Sequence, residues 1–397
     1  MSFASRMSRI GESATLELTR RVLQMRAAGA DLVDLGAGEP DFDSPEVAVA
    51  AASDALAAGY TRYTEVGGDP ALRRALAERF AATGAPWSGG RDALITVGAK
   101  AALFELALAL VDDGAEVVIP SPCWVSLPEQ VRLAGGEAVL VETDPADAFA
   151  IRAEPILDAI GERTRAVLVN SPCNPTGGVI ERAELRRLVE ACAQRRIPLI
   201  SDETYDRFVF DGRSHASVSE LAGDFPETCV LVGSFSKTYA MTGWRLGYVF
   251  GPEPLIARVR AIQSHATSNP TSFAMKGALA ALAAEDQVRE RIAEYEQRRN
   301  LVVEALARIP GVRCTSPPGT FYTFPDVSGC FGPGRQGSSE LAEWLLQEAG
   351  VAVVPGIAFG ADRHVRISFA SSRDQLDEGL RRITRALEAV TAIEGAR

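Results

Sequence analysis

The stretch AVLVNSPCNPTGGVIERAELRRLVEACAQRRIPLISDETY, residues 166–205, decides the fold class. It opens with the apolar run 166–170, continues with a helical pattern over 182–196 and returns to an apolar run at 198–201. Apolar runs without polar alternation are typical of strands buried on both faces, and strand–helix–strand order is typical of parallel pairing. We therefore predict an α/β fold whose central sheet is covered by helices.

The same alternation extends in both directions from this stretch. Further apolar runs occur at 94–97, 117–120, 138–141, 230–233 and 246–250. They predict a large α/β domain over residues 45–286 with a mostly parallel sheet. After residue 287 a long charged helical pattern is followed by short predicted strands at 312–314, 320–324, 351–354 and 365–369. This part predicts a smaller α+β domain over residues 287–397, which the N-terminal segment 1–44 joins.

The amino-acid composition argues against several classes of binding partner. The 397 residues carry 41 Lys and Arg against 52 Asp and Glu, a formal net charge of −11, which disfavours binding to nucleic acid or to an anionic membrane. No run approaches the roughly 18 apolar residues of a membrane-spanning helix. Six scattered cysteines without a CxxC pair predict reduced thiols in a cytoplasmic protein, and three separated histidines predict no metal site.

Polar residues follow the predicted strands at the points where the strands end. In a sheet of this type ligands bind beyond the carboxyl ends of the strands, so these residues are candidates for a binding site. They are Gly98, Ala99, Lys100, Asn174, Asp202, Tyr205, Ser234, Ser236, Lys237 and Arg245. Each alone has an ordinary interpretation, such as a surface turn at Asn174, a salt bridge at Asp202 or a solvated loop residue at Lys237.

Together these residues provide what pyridoxal phosphate requires. The Lys237 amine can bind the aldehyde, and Asp202 can keep the ring nitrogen protonated so that the ring withdraws electrons. Asn174 and Tyr205 can donate hydrogen bonds to the ring oxygen, and Trp124 can cover one face of the ring. N–H groups, hydroxyls and a guanidinium for the phosphate come from Ala99, Lys100, Ser234, Ser236 and Arg245, next to the turn at Gly98.

Several blocks of sequence carry a resemblance to a known family. They are Asn174-Pro175-Thr176-Gly177, Ser234-Phe235-Ser236-Lys237 with the later Arg245, and the segments 35–43, 60–63, 318–322 and 365–369. In these blocks, and over nearly its whole length, the chain resembles the class I aminotransferases of the pyridoxal-phosphate-dependent aspartate aminotransferase fold, which is fold type I. It is most similar to the bacterial branch that contains aspartate and prephenate aminotransferases.

The resemblance implies roles around the cofactor. Lys237 would form the Schiff base with pyridoxal phosphate and move a proton during a ping-pong amino-group transfer. Asp202 would pair with the ring nitrogen, while Asn174 and Tyr205 bind the ring oxygen. Tyr63 would reach the cofactor phosphate of a neighbouring subunit, so the resemblance implies a homodimer with shared active sites.

The resemblance also implies how a substrate is held. Arg366 would bind the α-carboxylate, helped by the Gly38 backbone, Trp124 and Asn174. The substrates would be an L-amino acid and a 2-oxo acid.

The choice of amino acid rests on a second group of residues. In relatives that prefer acidic substrates, a lysine at the position of Lys100 and hydroxyls in the segment Ser13-Ala14-Thr15 hold the side-chain carboxylate. Both features are present here, so we expect aspartate or glutamate, although Lys100 could instead contact the phosphate. Cys123 and Leu127 depart from the family pattern, and these changes could open the pocket to larger or less acidic substrates.

Other functions remain open at this point. Elimination, decarboxylation and racemisation share the same cofactor chemistry, so a lyase or decarboxylase on the same fold is an alternative. An aminotransferase for aromatic or other non-acidic substrates is another. We do not expect a cofactor-sensing regulator that binds DNA, because the residues before Gly38 are few and insufficiently basic.

Overall fold

A computed structural model of the protein describes residues 3–8, 10–11 and 14–394. The α-helices of these residues are α1 (Ala14–Ala27), α2 (Glu46–Ala57), α3 (Pro70–Ala81), α4 (Ala99–Leu110), α5 (Ser126–Leu133), α6 (Ala153–Asp158), α7 (Arg182–Arg195), α8 (Glu253–Ala266), α9 (Ser272–Ala281), α10 (Glu285–Ala307), α11 (Ser338–Trp344) and α12 (Arg373–Glu394). The strands are β1 (Val33–Asp34), β2 (Ala93–Thr96), β3 (Glu116–Ser121), β4 (Glu137–Glu142), β5 (Thr164–Asn170), β6 (Leu199–Asp202), β7 (Cys229–Ser234), β8 (Gly247–Phe250), β9 (Tyr322–Thr323), β10 (Val351–Ala352), β11 (Val354–Pro355) and β12 (Val365–Ser368).

The largest sheet has seven strands in the order β2-β8-β7-β6-β5-β3-β4. The pairings from β7 through β6, β5 and β3 to β4 are all parallel. Only β8 is antiparallel to its neighbours, β2 and β7. The prediction of an α/β fold with a mostly parallel central sheet is therefore confirmed.

Helices cover both faces of this sheet. Alternate residues of β5 point to opposite faces, so Val167 and Val169 belong to one buried apolar cluster while Ala166 and Leu168 belong to another. The first cluster includes side chains of α3, α7 and α9, and the second includes side chains of α4, α5 and α8. This double coverage explains why the central strands are apolar at consecutive positions.

Two smaller sheets involve the outer parts of the chain. β1 pairs in parallel with β10, and a three-stranded antiparallel sheet has the order β11-β12-β9. The division into 1–44, 45–286 and 287–397 stays a prediction, and the pairing of β1 with β10 is in line with an N-terminal segment that joins the last part. In the described part of the chain, no helix combines the length and the apolar composition needed to cross a bilayer.

The predicted strand at 312–314 is wrong. Arg313 and Asp326 form an isolated bridge, in which each backbone N–H donates to the carbonyl of the other at 2.9 and 2.8 Å. On one side Gly311 has a φ of +83°, which lies outside the strand region. On the other side Pro317 and Pro318 have no N–H to donate, so the ladder does not extend.

The register of the central strands brings the site together. Asn170 at the end of β5 pairs with Asp202 at the end of β6, and Asn170 Nδ2 donates to the Asp202 carbonyl at 3.1 Å. The adjacent strand β7 ends at Ser234. Because the three strands run in the same direction, the loops that follow them meet at one edge of the sheet.

Candidate active site

A cavity of about 650 Å³ opens beyond this edge of the sheet. Most of the residues predicted to bind cofactor or substrate line it: Thr15, Gly38, Ala99, Lys100, Trp124, Asn174, Asp202, Tyr205, Ser234, Ser236, Lys237, Arg245 and Arg366. They come from loops of the large sheet, from α1, from the segment after β1 and from β12. Residues that are distant in sequence therefore share one site.

Two of the predicted residues, Gly98 and Tyr63, do not line the cavity. Gly98 is the residue before α4, and a Cβ there would lie 2.6 Å from Nη2 of Arg245, so a glycine lets the guanidinium approach the start of the helix. Tyr63 is 89% exposed and lies on the surface of the protein. Ser13 lies outside the described residues.

One end of the cavity is suited to an anion. The start of α4 at Ala99 offers backbone N–H groups that have no acceptor within the helix, and the helix dipole favours negative charge there. Strand β8 lies close to this point, since a Cβ at Gly247 would be 2.4 Å from the Ala99 nitrogen. Ser234, Ser236 and Arg245 line the same cavity and add two hydroxyls and a guanidinium. A phosphate group fits this set of donors.

Lys237 presents its amine to the cavity. Its Nζ donates to the carbonyl of Gly38, in the segment after β1, and lies 5.9 Å from the centre of the Phe321 ring. Removal from water and the positive charge of Arg366 lower the pKa of Lys237 from 10.5 to about 8. A free amine is therefore available near neutral pH, as a nucleophile or a base requires.

Asp202 is a buried carboxylate with few partners. Its Oδ1 accepts hydrogen bonds from Thr204 Oγ1 at 2.7 Å and from the Thr204 N–H at 3.2 Å. Burial raises the pKa of Asp202 to about 6, despite these two bonds. A cation placed beside the carboxylate would favour the charged form and lower this pKa again, so the position suits a protonated ring nitrogen.

Arg366 is held rigidly at the edge of the cavity. It is 2% exposed, its Nη1 donates to Asn174 Oδ1 at 3.0 Å, and its Nη2 donates to the Gly36 carbonyl at 2.8 Å. The guanidinium lies 4.2 Å from the centre of the Tyr322 ring. Each Nη carries a second N–H beyond these two bonds, and Arg366 lines the cavity, so the guanidinium retains capacity to bind a carboxylate.

Several cavity residues were not found from the sequence: Glu39, Asn170, Thr204, Thr242 and Tyr322. Asn170 ends β5, so the strand-end rule that selected Asp202 could have found it. The Tyr322 hydroxyl lies 3.0 Å from that of Tyr205, a contact that no spacing in the sequence indicates. Burial raises the pKa of both phenols, so both stay protonated near neutral pH.

Lys100, the second residue of α4, and Trp124 also line the cavity. Lys100 Nζ lies 4.8 Å from the centre of the Trp124 ring, and burial and the nearby Arg245 lower the pKa of Lys100. The expectation that Cys123 and Leu127 open the pocket is wrong. They are 3% and 1% exposed and pack in the apolar cluster under α4 and α5, because their side chains point away from the cavity.

These groups fit pyridoxal phosphate. Gly98 leaves room for Arg245 beside the helix N-terminus, at the end suited to an anion. The Lys237 amine and the Asp202 carboxylate line the same cavity and have pKa values displaced toward neutrality. A phosphate, an aldehyde and a ring nitrogen thus each have a matching partner.

Comparisons with known proteins show which family the chain resembles. The family model for aminotransferase class I and II matches residues 30–383. The chain is 41% identical to the aspartate aminotransferase of Geobacillus stearothermophilus, over 98% of this chain and 100% of that protein. It is 41% identical to the probable aspartate/prephenate aminotransferase of Aquifex aeolicus, over 98% and 99%. The structure of Thermus thermophilus aspartate aminotransferase with maleate matches at a TM-score of 0.91 and 39% identity, over 97% and 99%.

The chain contains three lysines, Lys100, Lys237 and Lys276, so the amine of Lys237 can be titrated against an internal control. We expect Lys237 in cofactor-free protein to be labelled by an amine-selective acylating reagent with a half-maximal rate near pH 8, since the amine is protonated below its pKa of about 8. Lys276 should react only at higher pH, because its hydrogen bond to Asp69 raises its pKa above 10.5. Digestion and peptide mass spectrometry measure the labelling rate of each lysine in the same sample at each pH.

The variant Arg366→Met should move the midpoint of Lys237 to higher pH, because it removes a cation that lowers this pKa. Equal midpoints for Lys237 and Lys276 in the wild type would contradict the assignment.

Proposed function

The chain belongs to the family of class I and II aminotransferases and is an aminotransferase, and we propose that it transfers the amino group of aspartate or glutamate to a 2-oxo acid with pyridoxal phosphate held at Lys237. Members of this family use pyridoxal phosphate and work by a ping-pong sequence. The observation that carries the proposal is one cavity lined by an amine of lowered pKa, a buried carboxylate and a buried arginine.

Pyridoxal phosphate, when bound, supplies an aldehyde for the amino group and a ring that withdraws electrons from the Cα–H bond. Lys237 Nζ would accept the Cα proton of the substrate and then deliver it to the aldehyde carbon of the cofactor, because a pKa near 8 lets the amine serve in both forms near neutral pH. Asp202 would hold the proton on the ring nitrogen of the cofactor. The Asn174 amide and the Tyr205 hydroxyl would bind its ring oxygen.

Arg366 orients the substrate. Its guanidinium is already fixed by Asn174 and Gly36, so binding a carboxylate costs little additional side-chain ordering. A bidentate grip on the α-carboxylate fixes the Cα–H bond relative to the Lys237 amine. Gly38 receives the Lys237 hydrogen bond, which places the segment after β1 directly over the reacting groups.

The preference for an acidic substrate is supported by Lys100 and Thr15, which line the cavity and carry an amine and a hydroxyl suited to a side-chain carboxylate. The relatives from Geobacillus stearothermophilus and Thermus thermophilus are named aspartate aminotransferases, and the second was solved with the dicarboxylate maleate. One observation favours a second candidate, a larger apolar substrate. The cavity continues along α1, where Leu16 and Leu23 line it and are 64% and 59% exposed.

The homodimer is also part of this proposal. Tyr63 is 89% exposed, which is unusual for a tyrosine in a monomer and is what a residue that reaches a neighbouring subunit's phosphate would show. The cytoplasmic location stays a prediction.

A single half-reaction tests the proposed reaction. Protein loaded with pyridoxal phosphate and mixed with aspartate, without an acceptor, should yield the 2-oxo acid and pyridoxamine phosphate in equal amounts, measured by chromatography. Release of ammonia with fumarate, or of carbon dioxide with alanine or β-alanine, would instead support a lyase or decarboxylase. The variant Lys237→Ala should still bind cofactor through the phosphate and ring contacts but should convert none of it.

The role of Lys100 predicts a change in substrate preference. A hydrogen bond to a charged group is worth about 1.5–3 kcal/mol, so Lys100→Met should lower kcat/KM for aspartate by roughly 10- to 150-fold. For an apolar amino acid kcat/KM should change little. Steady-state kinetics with both substrates measure the ratio.

The control is Arg132→Met, which removes a nearby positive charge that does not line the cavity and pairs with Glu129. Equal losses for aspartate and the apolar amino acid in Lys100→Met would show that Lys100 serves the cofactor phosphate instead.

A further inference from the structure

The turn that contains Lys237 includes a residue in an unfavourable backbone conformation. After β7 the chain folds back within residues 235–241, where the Ala240 N–H donates to the Lys237 carbonyl at 3.2 Å and the Met241 N–H donates to the Ser236 carbonyl at 3.1 Å. Ala240 has a φ of 52°, in the left-handed region that residues with a Cβ rarely adopt. Surrounding structure must therefore hold this turn in place.

Three different segments contact the three residues that follow Lys237. Thr238 Oγ1 donates to Asp206 Oδ1 at 3.0 Å, and the Tyr239 hydroxyl accepts from Arg79 Nη1 of α3 at 3.0 Å. Ser44 Oγ donates to the Ala240 carbonyl at 2.8 Å. The Thr238 contact is the one nearest to the reactive lysine.

Asp206 joins this turn to the segment that carries Asp202. Asp206 lies four positions after Asp202 in the chain, and its N–H donates to the Glu203 carbonyl at 3.0 Å. Glu203 is 4% exposed, and its carboxylate accepts from His215 Nε2 at 3.0 Å, Ser217 Oγ at 2.7 Å and the Val218 N–H at 2.9 Å. Residues 202–206 therefore form a fixed unit with Asp202 at one end.

Arg79 holds the second oxygen of Asp206. Its Nη2 donates to Asp206 Oδ2 at 3.0 Å, while Oδ1 is left for Thr238. Burial alone would disfavour the charged guanidinium, but neighbouring groups led by the Asp206 carboxylate outweigh this and raise the pKa of Arg79. Each oxygen of Asp206 thus has its own donor, which fixes the orientation of the carboxylate.

We propose that Asp206 is a positioning residue, which sets the placement of the Lys237 amine relative to Asp202 through its hydrogen bond to Thr238. Neither Asp206 nor Thr238 lines the cavity, so both act through Lys237 and not on the substrate. The inference rests on the proposed function, in which the Lys237 amine must reach first the Cα of the substrate and then the aldehyde carbon of the cofactor. A small displacement of such a group lowers the rate of the chemical step more than it weakens substrate binding.

A double-mutant cycle between Thr238→Val and Asp206→Asn tests the coupling. Thr238→Val keeps the shape and removes the hydroxyl donor, and Asp206→Asn removes the charge that orients both donors. Each variant should lower kcat about 5- to 20-fold with KM within twofold, and the double variant should be no worse than the poorer single one. Thr238→Ser, which restores the donor, should regain most of kcat.

A second readout does not depend on turnover. Cofactor-free variants are mixed with pyridoxal phosphate and quenched with borohydride, and modified Lys237 is counted by peptide mass spectrometry over time. Thr238→Val and Asp206→Asn should slow this uptake several-fold, because the amine is less well placed. Thr164→Val is the matched control, since Thr164 Oγ1 accepts from the Gly161 N–H at 2.9 Å at the other end of β5. It should lower the melting temperature without changing kcat or uptake.

Two results would overturn the proposal. Thr238→Val could match Thr164→Val, with a lower melting temperature but unchanged kcat and uptake. Alternatively, the losses of the two single variants could multiply in the double variant, which would mean that they act independently. Failure of the wild type to take up cofactor at all would be a different result, which removes the proposed function and this inference with it.

Discussion

The site depends on one constraint: a carboxylate, Asp202, and an amine, Lys237, are removed from water near the ends of adjacent parallel strands. Asp202 ends β6, and Lys237 lies three residues after the end of β7 at Ser234. Burial raises the pKa of the acid to about 6 and, with the help of Arg366, lowers that of the amine to about 8. The pKa values of both groups therefore lie near neutral pH, so each can gain or lose a proton there. Water-exposed side chains of the same type have pKa values much further from neutral pH.

The sheet order produces this condition. Because β5, β6 and β7 are adjacent and parallel, their carboxyl ends meet at one edge, and helices on both faces bury the strands that lead to it. The smaller sheet adds Arg366 from β12, which contacts Asn174 in the loop after β5. The site thus depends on how the two sheets meet, and a substrate carboxylate bound to Arg366 would lie between them.

The sequence was sufficient for the fold class, and most of the site residues predicted from it line the cavity. The apolar runs and the strand ends indicated the residues of the large sheet, whereas Thr15, Gly38 and Arg366 came from the family resemblance. Apolar runs marked the central strands, and the polar residues after them had to meet at one edge. The sequence-based prediction was wrong where a residue's place in the site depends on the direction of its side chain. Cys123 lies next to Trp124 in sequence, but it points into the core while Trp124 lines the cavity. Neither the Tyr205–Tyr322 contact nor the Asp206–Thr238 bond could be predicted, since each joins segments whose approach is set by packing.

The most direct test of the account is to identify the lysine that binds the cofactor. Protein purified with pyridoxal phosphate is reduced with borohydride, digested and analysed by mass spectrometry, and the three lysines of the chain make the result unambiguous. The account predicts one pyridoxyl group per chain, attached to Lys237. Attachment to Lys100 or Lys276, or no attachment, would contradict it.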